Sequence, residues 1–215
     1  MRRSKLIGSA LCSGVFALCI SHAGAQEFTG KLSGFNEIGT IPGTIPSGYT
    51  GAVLSNGTGT ATLDLDQKAG TITYKLTYSN VGTTSPNTGM VSQAHIHFGK
   101  SRDSGGILVF FCTNLTPPAG VPPPQACPVN SGTVTGTWTK ANIIAIPGQN
   151  VVAQNFDAPV AALESNTAYA NIHTVPLQGA TNTAYPAGEI RGQVHKSDRN
   201  KNHDNQDHSD NHEHN

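Results

Sequence analysis

The residues best suited to chemistry are histidines at alternate positions of short segments. His95 and His97 flank Ile96, and His173 follows in a later segment. In a β-strand alternate side chains share a face, which places His95 and His97 about 6–7 Å apart. Two ring nitrogens at that separation can bind one ion at about 2.0–2.1 Å. With His173 from a neighbouring strand, the pattern predicts a copper or zinc site. The alternative is a set of surface histidines that bind nothing.

Other polar residues fall on the same strand faces as these histidines. Asn171 shares a face with His173, and Glu189 shares a face with Arg191. A role beside a metal would have Glu189 orient an imidazole and Arg191 attract an anion. The alternative for Glu189 and Arg191 is an exposed ion pair of little energetic value.

The C-terminal segment, residues 196–215, carries four more histidines among Asp and Asn residues. It has no apolar side chain with which to offset the entropy of ordering, so we expect it to be disordered. Imidazoles and carboxylates on such a chain would bind Zn, Cu or Ni weakly, whereas the alternative is a tail that only aids solubility. These histidines are His203, His208, His212 and His214.

Several function classes are disfavoured by composition and motifs. The chain has a formal net charge of zero and is 12% charged, which argues against a broad basic surface for nucleic acid. It contains no G-x-S-x-G motif and no Gly-rich phosphate loop followed by a helix. Hydrolase and nucleotide-binding functions are therefore not expected.

Residues 1–25 have the organisation of a secretory signal peptide, with a basic start, an apolar stretch and small residues before Gln26. Three of the 13 basic residues lie there and all 13 acidic residues follow, so the exported chain would carry a charge of −3. No later segment approaches the roughly 20 consecutive apolar residues of a membrane helix. We expect a secreted protein, extracellular or periplasmic, without a transmembrane segment.

The cysteines divide in the same way. Cys12 and Cys19 would leave with the signal, so the exported chain keeps Cys112 and Cys127. In an oxidising compartment these predict one disulfide, whose loop of about 15 residues would contribute about 3 kcal/mol. Two free thiols are the alternative, since a cysteine-only metal site needs more than two ligands.

The elements that must position these residues are short strands. Residues 60–66 and 71–78 alternate polar and apolar side chains around a turn, which is typical of a β-hairpin. About eight such segments predict one all-β domain over residues 26–195, either a Greek-key sandwich or a flattened barrel. The other strands are predicted at 28–34, 91–98, 107–111, 132–139, 168–174 and 189–195.

Two further predictions concern the helix and the aromatic residues. One short helix is expected, capped by Asp157 and ending near Asn166. Trp138, Phe110 and Phe111 are expected to pack in the core rather than to bind a ligand.

Five segments in this order resemble the CHRD domain, a module first named from chordin and also found singly in secreted bacterial proteins. The resemblance implies an extracellular all-β domain without established catalytic activity. Its partner here would be an unknown extracellular protein or envelope component, and the role in binding growth factors is not carried over. The segments are LSGFNE at 32–37, residues 57–65, AHIHFG at 94–99, YANIHT at 169–174 and PAGEIRGQ at 186–193.

The H-x-H strand, the later histidine strand and the Gly-rich arginine strand are also similar in layout to the copper/zinc superoxide dismutase barrel. The sequence offers no convincing equivalent of that family's bridging histidine or aspartate ligand. Three functions stay open: a non-catalytic binding module with a metal site, a copper-dependent oxidoreductase in which Arg191 attracts the substrate, and a purely structural extracellular or cell-envelope protein.

Overall fold

The computed structural model describes residues 25–39, 51–182 and 184–197. These residues contain nine strands, one α-helix and three short 3-10 helices, which are joined by loops. The elements are β1 (Gln26–Ser33), β2 (Thr58–Asp66), β3 (Thr71–Ser79), β4 (Gly89–Phe98), β5 (Gly106–Thr113), β6 (Gly132–Trp138), α1 (Asp157–Glu164), β7 (Ala168–Pro176), β8 (Ile190–Gln193) and β9 (His195–Lys196).

All the strands belong to one antiparallel sheet that curls into a nearly closed barrel. Eight strands follow one another in the order β5-β4-β7-β8-β1-β2-β3-β6, and the two-residue β9 pairs with β1. This confirms the all-β prediction and, of the two alternatives, corresponds to the flattened barrel. The order brings β4, β7 and β8 side by side although β7 lies some 70 residues after β4.

The barrel interior follows from the alternation seen in the sequence. β2 and β3 pair in register from Thr58↔Ser79 to Asp66↔Thr71. Their apolar side chains point inward and are buried, while threonines of β3 point outward and pair with threonines of β6. The buried side chains of this hairpin are Ala61, Leu63, Leu65, Ile72, Tyr74, Leu76 and Tyr78.

The edge strands β5 and β6 are joined by side chains and by a disulfide. Trp138 Nε1 donates a hydrogen bond of 2.8 Å to Phe110 O, and the Trp138 ring stacks on Tyr74 with centroids 4.2 Å apart. Cys112 in β5 is bonded to Cys127 in the Pro-rich loop that leads to β6, which confirms the predicted disulfide. These contacts hold the two edges together where the strand hydrogen bonds stop.

Both faces of β4 and β7 are buried, which corrects the expectation that only their apolar face would be. His95 is fully buried, and His97, His173 and Asn171 are each at most 8% exposed. Loops lie over this outer polar face and make hydrogen bonds to it, including those of the Gly105 carbonyl. The residues that would otherwise be surface histidines are therefore enclosed.

Two boundary predictions need correction. Asp157 is the first residue of α1 rather than its cap, and Asn155 Oδ1 accepts a hydrogen bond from Asp157 N at 3.1 Å. The strand expected at 189–195 is interrupted at Val194, whose buried side chain and hydrogen bond to Ala168 O separate β8 from β9.

The predicted signal peptide and tail lie almost wholly outside the described residues, so both stay predictions. Among the residues that are described, no helix has the length and apolar character needed to cross a membrane.

The close approach of β8 to β1 depends on Gly192, because a Cβ there would meet the Lys31 carbonyl. We predict that Gly192→Ala lowers the free energy of unfolding by about 1–3 kcal/mol, since neither backbone can move without breaking strand pairing. Gly148→Ala is the matched control, because a Cβ at Gly148 has no neighbour within 4 Å. Urea unfolding measures both, and equal stability of the two variants would contradict the prediction.

Candidate metal centre

The three predicted histidines meet on the outer face of β4 and β7. His97 lies opposite Tyr169 and His95 lies opposite Asn171, while His173 lies opposite Gln93. His173 is therefore diagonal to His95 on the same sheet face, a position from which long side chains touch. The structure brings together the set that the sequence proposed.

Irregularities in strand pairing shape this face. The β4–β5 register shifts between Ala94 and His95 and again between Ile96 and His97, so that β5 has an additional residue at each shift. The first shift pairs Phe110 with His95, and the Phe110 ring meets the imidazole edge-on at a centroid distance of 4.4 Å. Phe111 turns into the core, as expected, whereas the prediction that Phe110 also lies in the core was wrong.

The imidazoles are close enough to share one ion. His95 Nδ1 is 3.3 Å from His97 Nε2, and the candidate ligand atoms of all three residues lie within 4.8 Å of one another. Three nitrogens bound at about 2.0–2.1 Å would be about 3.3–3.6 Å apart. The candidate ligand atoms would therefore close by no more than about 1 Å on binding.

Two of the imidazoles are oriented by backbone carbonyls. His97 Nδ1 is 2.9 Å from Gly105 O, and His173 Nδ1 is 2.9 Å from Pro186 O. Because a carbonyl only accepts, both Nδ1 atoms carry the proton and both Nε2 atoms keep a lone pair. Histidines that bind metals are held in the same way.

Two buried ring nitrogens of the cluster have no hydrogen-bond partner in the described part of the chain. His95 Nε2 and His173 Nε2 are buried, and neither has a hydrogen-bond partner among the described residues. An unsatisfied buried polar atom costs about 1–3 kcal/mol, so such atoms are uncommon in folded proteins. A metal ion bound by these lone pairs would remove the cost.

Burial keeps the imidazoles neutral. It lowers the pKa of His97 to about 4, against a smaller opposing effect of its hydrogen bond to Gly105. Burial is also the main cause that lowers the pKa of His95 and of His173. At neutral pH all three rings therefore offer lone pairs without first having to lose a proton.

Arg191 is not available to a diffusing anion, contrary to one of its predicted roles. It is 2% exposed, and its Nη2 donates to Lys100 O and Asp103 O at 2.8 and 2.9 Å. Its guanidinium lies 3.4 Å from the centroid of the Tyr169 ring, whose other neighbour is the parallel His97 ring at 4.7 Å. Arg191 thus holds the loop that covers the site.

The same loop is tied down at Gly105, the residue that orients His97. Gly105 N donates to the Tyr169 hydroxyl at 3.1 Å while Gly105 O accepts from His97. Tyr169, stacked between Arg191 and His97, therefore links the arginine to the orientation of an imidazole.

Glu189 and Asn171 have neighbours other than those expected. Both Glu189 oxygens accept from Gly82 N at 2.9 and 3.0 Å, and they also accept from Ser55 Oγ and Thr174 Oγ1. Glu189 is fully buried, so the alternative prediction of an exposed ion pair with Arg191 was wrong. Asn171 Nδ2 donates to Glu37 Oε1 at 3.3 Å.

Sequence reasoning missed Glu37 and the two carbonyls. Glu37 is 2% exposed, and burial raises its pKa against the opposing effects of the Ile38 N–H and Arg191. It lies in the quoted segment LSGFNE, whose pattern carried no sign of contact with β7. Backbone acceptors such as Gly105 O have no signature in residue types at all.

The tail histidines lie outside the described residues, so their weak metal binding stays a prediction.

A comparison with protein families finds that the CHRD domain matches residues 28–194, which is nearly all of the barrel. This chain belongs to the CHRD family. No curated protein matches it. CHRD domains are extracellular modules of a binding type, and the disulfide agrees with that setting. All three histidines of the cluster lie inside the region matched to the CHRD domain.

The lowered pKa values predict how acid acts on the metal-free protein. An unfolded imidazole takes up a proton near pH 6.5 while the buried one stays neutral, so stability present above pH 6.5 falls towards pH 4. Each such imidazole would contribute a slope of up to about 1.4 kcal/mol per pH unit. Urea unfolding with a chelator at pH 7, 6 and 5 measures this slope.

The variant His97→Gln should flatten that slope, because glutamine does not titrate. His195→Gln serves as the control, since His195 is exposed and lies in β9 away from the cluster. An unchanged slope in His97→Gln would contradict the prediction, because it would show that this imidazole takes up its proton as readily in the folded protein as in the unfolded chain.

Proposed function

We propose that this protein is a secreted, non-catalytic binding module that holds one copper or zinc ion through His95, His97 and His173. The observation that carries the proposal is the buried convergence of these three imidazoles, two of which have a ring nitrogen without a hydrogen-bond partner in the part of the chain that the structure describes. Its macromolecular partner would be an extracellular protein or an envelope component, in keeping with the binding character of CHRD domains.

The chemistry of the donors supports copper or zinc over other ions. Imidazole nitrogens suit Cu and Zn, whereas Mg and Ca prefer oxygen ligands. The carbonyls of Gly105 and Pro186 hold two rings with the lone pair on Nε2, so little ordering would be needed on binding. His95, whose ring packs edge-on against Phe110, would complete the set of three ligands through a ring nitrogen.

Secretion is supported by two independent features. Residues 1–25 have the pattern of a signal peptide, and the only two cysteines after them form a disulfide. Weak chelation by the tail histidines would add to metal capture outside the cell.

The oxidoreductase alternative has less support, because Arg191 was to have attracted its anionic substrate. That guanidinium is enclosed and its donors serve two carbonyls. We therefore propose no redox reaction. A purely structural protein would retain no metal in the histidine cluster, which the following experiment tests.

Metal content decides between binding and a structural role. In the full chain with His203, His208, His212 and His214 changed to Gln, we predict about one equivalent of copper or zinc after loading and desalting. His95→Gln with His97→Gln should lose it, because two of the three ligands are gone. Elemental analysis measures the content, and circular dichroism checks the fold.

His195→Gln in the same background is the matched control and should keep the full equivalent, because that histidine is exposed. A full equivalent in the doubly substituted cluster, or no metal in the parent, would overturn the proposal.

Arg191 is proposed as a positioning residue that acts through the loop over His97. Arg191→Met keeps a long side chain over Tyr169 but removes the donors to Lys100 O and Asp103 O. We predict metal binding weaker by about 10–100-fold, the usual cost of losing an outer support. Arg102→Met is the control, because Arg102 lies exposed in the same loop.

Chelator competition measures the affinities, and the absorption spectrum of bound Co(II) reports the ligand geometry. A merely structural arginine would lower stability without changing that spectrum. Equal affinities and spectra for the two arginine variants would contradict the positioning role.

A further inference from the structure

We infer that the three-histidine site is selective for the monovalent ion Cu(I) over the divalent ions Zn(II) and Cu(II). This inference rests on the proposed function and names the ion that the site takes. It follows from the charge, the burial and the number of the ligands.

The ligand set brings no negative charge to the ion. Within the described part of the chain, the cluster consists of His95, His97 and His173 and includes no carboxylate or thiolate. An ion held by three neutral imidazoles therefore keeps its full charge.

The buried charges of this region have partners outside the cluster. Arg191 lies on the far side of Tyr169 from His97, and Glu37, which interacts electrostatically with Arg191, is bonded to Asn171. Glu189 accepts hydrogen bonds from Gly82 N, Ser55 Oγ and Thr174 Oγ1. No carboxylate therefore touches the cluster by a hydrogen bond among those described.

Burial makes this imbalance costly. His95 is fully buried, and its surroundings include the rings of Phe110, His97 and His173. The penalty for placing an ion in a medium of low dielectric grows with the square of its charge, so a dication costs about four times as much as a monocation. Electrostatics alone thus favours Cu(I).

The number of ligands points the same way. Cu(II) prefers a tetragonal set, and Zn(II) held by three protein ligands completes its tetrahedron with a water, whereas the buried cluster itself offers three imidazoles. Asn171 Oδ1 is buried without a hydrogen-bond partner among the described residues and could approach as a fourth ligand. Because an amide is neutral, even this ligand would leave the charge of a dication uncompensated.

The test compares Cu(I) and Zn(II) affinities in the full chain with the four tail histidines changed to Gln. Competition with a chromophoric Cu(I) chelator under anaerobic reducing conditions gives one Kd, and a Zn(II) indicator gives the other. We expect Cu(I) to bind at least about 100-fold more tightly than Zn(II). Equal or tighter binding of Zn(II) would overturn the selectivity.

A charge-swapped variant tests the cause. Glu37→Gln with Asn171→Asp moves one negative charge towards His95 while keeping an amide-to-carboxylate hydrogen bond between the two positions. The ratio of Cu(I) to Zn(II) affinity should fall at least about 10-fold, because the carboxylate compensates the dication more strongly. Glu37→Gln alone is the control, and an unchanged ratio in the swapped variant would overturn the electrostatic explanation.

The two proposals fail in different ways. If neither ion binds in a manner that depends on His95 and His97, the metal-binding function itself is wrong, and the selectivity falls with it. If Zn(II) binds there at least as tightly as Cu(I), the function stands and only the selectivity is wrong.

Discussion

The outer polar face of β4, β7 and β8 is buried, and each polar atom on it must find a partner in the segments that cover it. The loops that cover this face supply many of these partners. The loop after β4 contributes Gly105 O to His97, and the loop before β8 contributes Pro186 O to His173. Some buried atoms have no partner among the described residues, and they include His95 Nε2 and His173 Nε2 in the histidine cluster. The proposed metal site lies where the hydrogen-bonding pattern is incomplete.

The sheet separates two buried regions, an apolar core inside the barrel and a polar layer beneath the loops, which are stabilised by different interactions. Inside the sheet, alternating apolar residues such as Leu63 and Leu76 form a core whose stability comes from the burial of apolar area. Outside it, beneath the loops, the face is polar and its order depends on geometry: an arginine stacked on a tyrosine, a tyrosine stacked on a histidine, and carbonyls at hydrogen-bond distance.

Membership of the CHRD family identifies the scaffold, but a fold does not determine a function. The family is associated with binding outside the cell, and the disulfide of this chain suits that environment. The histidine cluster adds a chemical capacity to the scaffold. It consists of three neutral, buried imidazoles, and an ion bound there as proposed would be distinguished by its charge more sharply than at an exposed site.

Alternation in the sequence was enough to predict the strands, because a period of two with turn residues between segments leaves few alternatives to a sheet. It was also enough to place His95 with His97, and Asn171 with His173, on shared faces, since that follows from strand geometry alone. The single disulfide followed from the two cysteines left after the signal peptide. These features are local, or depend only on residue counts.

What the sequence could not determine depends on contacts between distant segments. Strand order puts His173 beside His95, and two shifts of register turn Phe110 towards the imidazoles instead of into the core. The loops decide that the polar face is enclosed, and so that Glu189 and Arg191 are buried with separate partners. Backbone carbonyls, which every residue carries, orient two of the three imidazoles. Periodicity assigns a side chain to a face of its strand, but only tertiary packing decides what covers that face.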